Sequence, residues 1–183
     1  RIFSVVLLTA IVTVVRAAAA ASPANPSFEE GTAAGVPSAW MPSGAACTWE
    51  RGGAHDGERA AVVRGSGDDI TYWRSGALAF APGGLYRLSF WARSLDAAGG
   101  GTAVTGPVFC NRDIGCPPMA WTRYSAVFAA LSEPTPEQSW LRFGQWHVSG
   151  RIAFDAIAVE PVQAVHLPVA DMVLGEGEGV DGN

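Results

Sequence analysis

The chain has 183 residues, of which 49% are hydrophobic and 16% charged, with a formal net charge of −5 and no lysine. An acidic balance without any basic run argues against nucleic acid as a partner. Three cysteines without CxxC spacing argue against a zinc site.

In chain order, the first segment is Ile2–Val15, largely apolar, followed by Arg16 and an alanine run to Ser22. This is the form of a secretory signal with a small-residue cleavage site near Ala19 to Ala21. A membrane-spanning helix needs about 20 apolar residues, and Arg16 interrupts such a span. Residues 1–21 are therefore expected to be a cleaved signal peptide, shortened at its start because Arg1 stands where Met would begin it. Residues 22–162 are expected to form one domain, and residues 163–183 a linker or the start of a following domain. The expected location is outside the cell, with no membrane contact once the signal is removed. In an oxidising compartment Cys110 and Cys116 could close the short loop NRDIG, leaving Cys47 as a buried odd thiol.

The domain opens on Asn25-Pro-Ser-Phe-Glu-Glu-Gly31, which sets a core-type phenylalanine beside two carboxylates and a glycine. Strands are predicted at Arg59 to Val63, Tyr86 to Arg93, Thr122 to Ala130, Trp140 to Val148 and Arg151 to Glu160, from alternation bounded by Gly, Pro, Ser or Asp clusters. Leu78 and Phe80 also alternate before the turn signal Pro82-Gly83-Gly84, which predicts a hairpin with the strand at Tyr86. No stretch of the domain sustains a helical period, so many short strands argue for an all-β sandwich or barrel. In the last strand Ile152 and Phe154 are out of phase with Ile157 and Val159. A β-bulge at Asp155-Ala156 would explain the slip, and Asp155 in an apolar strand needs a backbone donor, an arginine or a metal ion as partner.

Six stretches carry a resemblance: Asn25 to Gly31, Val36-Pro-Ser-Ala-Trp40, His55-Asp-Gly-Glu-Arg-Ala60, Pro82 to Arg93, Trp121-Thr-Arg-Tyr124 and Gly150-Arg-Ile-Ala-Phe-Asp155. Their order resembles that of jelly-roll carbohydrate-binding modules, the group joining families four, nine and twenty-two, over about Asn25 to Val162. The resemblance implies a galactose-binding-like jelly-roll β-sandwich. It also implies a structural calcium ion held between the two ends of the chain. By position Glu29 and Asp155 would supply carboxylate oxygens, Ser27 and the turn from His55 to Arg59 backbone carbonyls, and Asp56 is a second candidate carboxylate, a donor set suited to a hard cation. The alternative is solvated glutamates and an Asp155 satisfied by hydrogen bonds. Trp40 and Trp121 fall at positions that read as scaffold.

Sugar binding needs flat aromatic faces with planar polar partners. Strand parity sets Trp91 and Arg93 away from the Leu88–Phe90 face, and Trp146 and Arg142 away from the Leu141–Phe143 face. These four are expected to share one binding face, with Trp73 as a further candidate whose phase is open. Gln145 and His147 could reach sugar hydroxyls from the strand margin. No nucleophile elbow, HExxH helix or phosphate loop is present, and no cleft-facing pair of carboxylates emerges for glycoside hydrolysis. The sequence thus points to a non-catalytic module that brings a secreted protein to a polysaccharide or oligosaccharide, and the resemblance implies a fused catalytic domain. A structural or adhesive sandwich domain is the alternative. The glycan stays open; a uronate polymer gains weight because every basic residue is Arg, whose fork pairs with carboxylates.

Overall fold

The computed structural model describes residues 21–164. The expected signal peptide, apart from Ala21, and nearly all of the expected linker lie outside the described residues. Nine strands form: β1 (Trp40–Pro42), β2 (Cys47–Arg51), β3 (Arg59–Ser66), β4 (Ile70–Ser75), β5 (Leu85–Ser94), β6 (Gly99–Pro107), β7 (Arg112–Asp113), β8 (Thr122–Ala129) and β9 (Leu141–Pro161). A 3-10 turn at Pro136–Gln138 precedes β9. The pairing separates into two five-stranded layers that share β9. Its first part runs between β4 and β6, giving the order β1-β4-β9-β6-β7, and its second part between β3 and β5, giving β2-β3-β9-β5-β8. All pairs are antiparallel, the arrangement of a jelly-roll sandwich.

The core lies between the layers and is strongly aromatic. Phe143 is the hub, with its ring centroid 5.0 Å from Phe90, 5.5 Å from Phe154 and 6.1 Å from Trp40, and Trp40 in turn lies 4.8 Å from Phe28. Edge-to-face and tilted contacts of this kind add to the burial of the rings themselves. The opening segment reaches this core because Phe28 adopts a positive φ of 58° and is fully buried. Pro26 accepts a hydrogen bond from the Ile157 N–H at 3.0 Å, tying the first segment to the last strand.

Three expectations are corrected. Residues 76–81 form no strand, so the hairpin is absent: Leu78 donates its N–H to Ser139, the Ala81 N–H goes to the Tyr86 hydroxyl, and β5 pairs with β8 and β9 instead. Trp140 to Val148 and Arg151 to Glu160 are parts of one strand, because Gly150, at φ 127°, carries the chain from one layer to the other without breaking the pairing. Cys110 and Cys116 are free thiols, as is Cys47. The predicted bulge is present: Trp91 pairs with Asp155 and Ser89 with Ala158, so three steps on β9 face two on β5, with Ala156 at φ 48°.

Candidate functional site

The outer face of the β4-β9-β6 layer is built by alternation. On β4, Thr71, Trp73 and Ser75 point inward and are buried, which leaves Ile70, Tyr72 and Arg74 outward. On β9, Leu141, Phe143 and Gln145 point inward, and Arg142 and Trp146 outward. Cross-strand register stacks these into rows: Ile70 opposite Trp146 opposite Thr102, then Tyr72 opposite Gly144 opposite Val104 opposite Asp113, then Arg74 opposite Arg142 opposite Gly106. The middle row is low because Gly144 has no side chain. A Cβ there would lie 2.2 Å from the Thr71 carbonyl oxygen and 2.3 Å from the Tyr72 Cβ.

The result is a cleft of about 300 Å³ crossing the strands. Trp146, Ile70 and Thr102 form one wall; Arg142 and Asn111 form the other; Val104 and Tyr72 line the floor. Trp146 is 47% exposed, and His147 stacks on it at 4.1 Å. Arg142 is fixed by the Asn111 side-chain oxygen, which accepts from its Nη2, and its guanidinium lies 5.7 Å from the Tyr72 ring centre. Its Nε is buried without a partner. An exposed indole facing a positioned guanidinium is able to stack on an apolar ring face and donate paired hydrogen bonds to its substituents.

Trp146 and Arg142 therefore stand together as expected, but Trp91 and Arg93 do not join them. Both do point outward, yet from β5, in the other layer, on the opposite side of the molecule. Parity along a strand tells inward from outward; it cannot tell which layer of a sandwich the strand belongs to. Trp91 is half-buried under the His55 ring, stacked at 3.8 Å, and Arg93 lies 5.0 Å from the Trp121 ring centre. Trp121, assigned to packing, does so at this surface, donating its Nε1–H to Gly53. Trp73 is a core residue, 1% exposed, and donates its Nε1–H to the Val62 carbonyl at 3.0 Å. Gln145 is likewise buried, accepting from the Val148 N–H and donating to Asp69. Sequence reading missed Tyr72, Ile70, Asn111 and Asp113; the phase of β4, left open there, is the one that turns the small polar Thr71 and Ser75 inward with Trp73.

A second feature lies at the turn from His55 to Arg59. Asp155 is fully buried; its Oδ2 accepts from the N–H groups of His55 (2.8 Å) and Asp56 (3.0 Å), and its Oδ1 from Ala156 (2.7 Å). Burial pushes its carboxyl up to about 6, outweighing those donors, and the Asp56 carboxylate adds to the rise. Glu29 Oε1 accepts from the N–H groups of Glu58 and Arg59, and Ser27 donates its hydroxyl to Asp56 at 2.9 Å. Arg59 contributes its backbone only, since its guanidinium lies over Trp49 at 3.8 Å. Among the described residues, no three His, Cys, Asp or Glu side chains form a metal cluster. Glu29, Asp56 and Asp155 nonetheless meet one turn, with no cationic side chain bonded or ion-paired to any of them. Such a set fits a hard cation only if backbone oxygens complete its shell.

Fold and cleft define a β-sandwich module with an open site on one sheet face. The chain has the jelly-roll fold of known carbohydrate-binding modules. It is similar to the CBM22-1 xylan-binding domain from Paenibacillus barcinonensis Xyn10C, with 13% identity and a TM-score of 0.53 over 79% of this chain and 94% of that one. A family 16 carbohydrate-binding module matches at 14% identity and a TM-score of 0.55, over 74% of this chain and 96% of that one. A cyclase from Fischerella sp. TAU shares the fold as well, at 14% identity and a TM-score of 0.57, over 80% of this chain and all of that one. No protein-family model matches the sequence, and no curated protein does. A fold that serves both binding modules and a cyclase leaves function to be argued from the site.

Proposed function

We propose that this is a non-catalytic glycan-binding module that holds a polysaccharide or oligosaccharide across the outer face of the β4-β9-β6 layer. The observation that carries this reading is the exposed indole of Trp146 facing the Arg142–Asn111 pair across a low floor at Gly144. The indole supplies a stacking face, and the guanidinium supplies directional donors to hydroxyls. Asp113 is the one carboxylate lining this cleft among the described residues, whereas glycoside hydrolysis uses a facing pair. Predominance of binding modules among the similar folds supports the same reading.

The test is affinity electrophoresis of the full chain through gels containing xylan, β-glucan, cellulose derivatives or galactan, xylan being included because a similar domain binds it. Retardation by at least one neutral glycan, lowered about tenfold or more by Trp146→Ala with an unchanged melting temperature, is expected from the loss of one stacking platform. Absence of retardation on every glycan would favour a structural or adhesive domain.

The proposal extends to the carboxylate turn. Glu29 and Asp155, with Asp56 and backbone oxygens near Ser27 and between His55 and Arg59, would hold a calcium ion whose role is to neutralise the buried charge and clasp the opening segment to β9. Export under a cleaved signal and fusion to a catalytic domain complete the functional reading. They rest on the apolar and alanine-rich start of the sequence and on the kind of protein that carries such modules.

A further inference from the structure

The face opposite the cleft has its own chemistry. Five of the chain's twelve arginines, Arg64, Arg87, Arg93, Arg123 and Arg151, project outward from the β3-β9-β5-β8 layer of a protein whose net charge is −5. Arg151 is neutralised by Asp96 and Glu50, at 3.0 and 3.7 Å, and Arg87 stands opposite Glu160 in the register. No carboxylate among the described residues pairs with Arg64, Arg93 or Arg123. Arg93 is the most telling of these. It is half-buried, its Nε is enclosed without an acceptor, and its Nη2 would lie 2.7 Å from a Cβ at Gly53. A desolvated guanidinium without an anion is costly.

Aromatic faces accompany these cations. The exposed His55 ring stacks on Trp91 and stands edge-on to Trp121 at 6.0 Å, and the Arg93 guanidinium lies 5.0 Å from the Trp121 ring centre; Arg123 is directly opposite Trp91. On the far side of the same face, Arg64 and Arg151 flank a hollow of about 470 Å³ with Thr48 and Glu50. Between the two lies a small apolar floor of Ala60, Val62 and Ala153. Bare phosphate would use the guanidinium groups and leave the exposed His55 ring, stacked on Trp91, idle. A sugar ring that carries a carboxylate uses both, since its apolar face stacks and its carboxylate takes a fork of N–H donors.

We propose that this face is a second glycan site, independent of the cleft, and that it takes an acidic polysaccharide of the uronate class. The molecule then has two binding faces on opposite sides of one sandwich, with Trp146 and Arg142 serving one, and Arg93, Arg64 and the Trp91–His55–Trp121 group serving the other.

The test is affinity electrophoresis of the full chain in gels containing polygalacturonate, with dextran sulfate and the neutral glycans as comparisons, at low salt and at 0.5 M NaCl, that concentration being chosen to bring the screening length to about 4 Å. The wild-type chain should be retarded by polygalacturonate at low salt. An Arg93→Gln, Arg64→Gln double variant should lose about tenfold or more of that affinity, the worth of one or two charge-assisted bonds, with its melting temperature and its neutral-glycan binding unchanged. Trp146→Ala should show the reverse pattern, so failure of the cleft and failure of this face are distinguishable. His55→Ala leaves both arginines in place and should also weaken polygalacturonate, which checks the aromatic part should the double variant unfold. No retardation by polygalacturonate, equal or stronger retardation by dextran sulfate, or loss on Trp146→Ala alone would overturn the proposal.

Discussion

Asp155 concentrates the tension between stability and charge in this fold. Its carboxyl is raised to about 6 in the folded chain, from an ordinary value of 3.8. Between those values the folded state holds a proton that the unfolded state releases, so this group's contribution to stability falls as pH rises through 6, by roughly 3 kcal/mol in all for a shift of this size. In chelator, the protein is expected to be more stable at pH 5 than at pH 7 by roughly 1.3 kcal/mol, the part of this contribution that is lost above pH 5, and Asp155→Asn should flatten the slope. Calcium, if bound as proposed, should raise the melting temperature at pH 7 far more than at pH 5. An unchanged melting temperature on adding calcium at pH 7 would remove the ion from the account. A second residue-scale expectation concerns Trp73→Ala, which empties a fully enclosed site and breaks the bond to Val62. It should cost about 3–5 kcal/mol by urea denaturation, with no specific loss of glycan affinity. The sequence made Asp155 conspicuous because a phase slip of one residue is visible in any strand. Trp73 was illegible because inward and outward on β4 are distinguished by Thr and Ser against Tyr and Arg, and all four types occur on either face of a sheet.

Among the elements, β6 was the least readable and is among the most constrained. Its run Gly99-Gly-Gly-Thr-Ala-Val-Thr-Gly-Pro107 reads as a loop, yet it lines the first half of β9 from Leu141 to Ser149. Glycine is used there because the two backbones nearly touch. A Cβ on Gly101 would lie 1.8 Å from the Trp146 carbonyl oxygen, where the register skips a residue on each strand. Gly101→Ala is expected to destabilise the domain by about 3 kcal/mol or more, since the obstacle is backbone and cannot swing away. Because this close approach also positions Trp146 and His147, residual folded protein should bind glycan more weakly, read by the same electrophoretic assay. Strands of alternating large and small residues, such as β5 and β9, were legible by their period. Strands selected for close backbone approach carry no period to read.

At the scale of the whole molecule, the sandwich class followed from strand count and turn density, while the sidedness of the site did not. Trp91 and Trp146 both satisfy the parity rule, and only the pairing of β5 with β8 and of β9 with β4 and β6 sends them to opposite faces. One strand shared by both layers also means that neither layer can melt alone. Thermal unfolding should therefore show a single transition, with indole fluorescence and far-ultraviolet dichroism coincident. Two separated transitions would contradict the shared role of β9. That strand also sets a clock. It is the last of the nine to be synthesised, and β3, β4, β5 and β6 each find their central neighbour only in residues 141–161. Until the ribosome reaches them, the earlier strands remain edges awaiting a partner, and the closure entropy of a loop spanning up to about half of the chain stays unpaid. If the chain is exported as proposed, this topology would keep it threadable, with both sheets closing together once the final strand arrives.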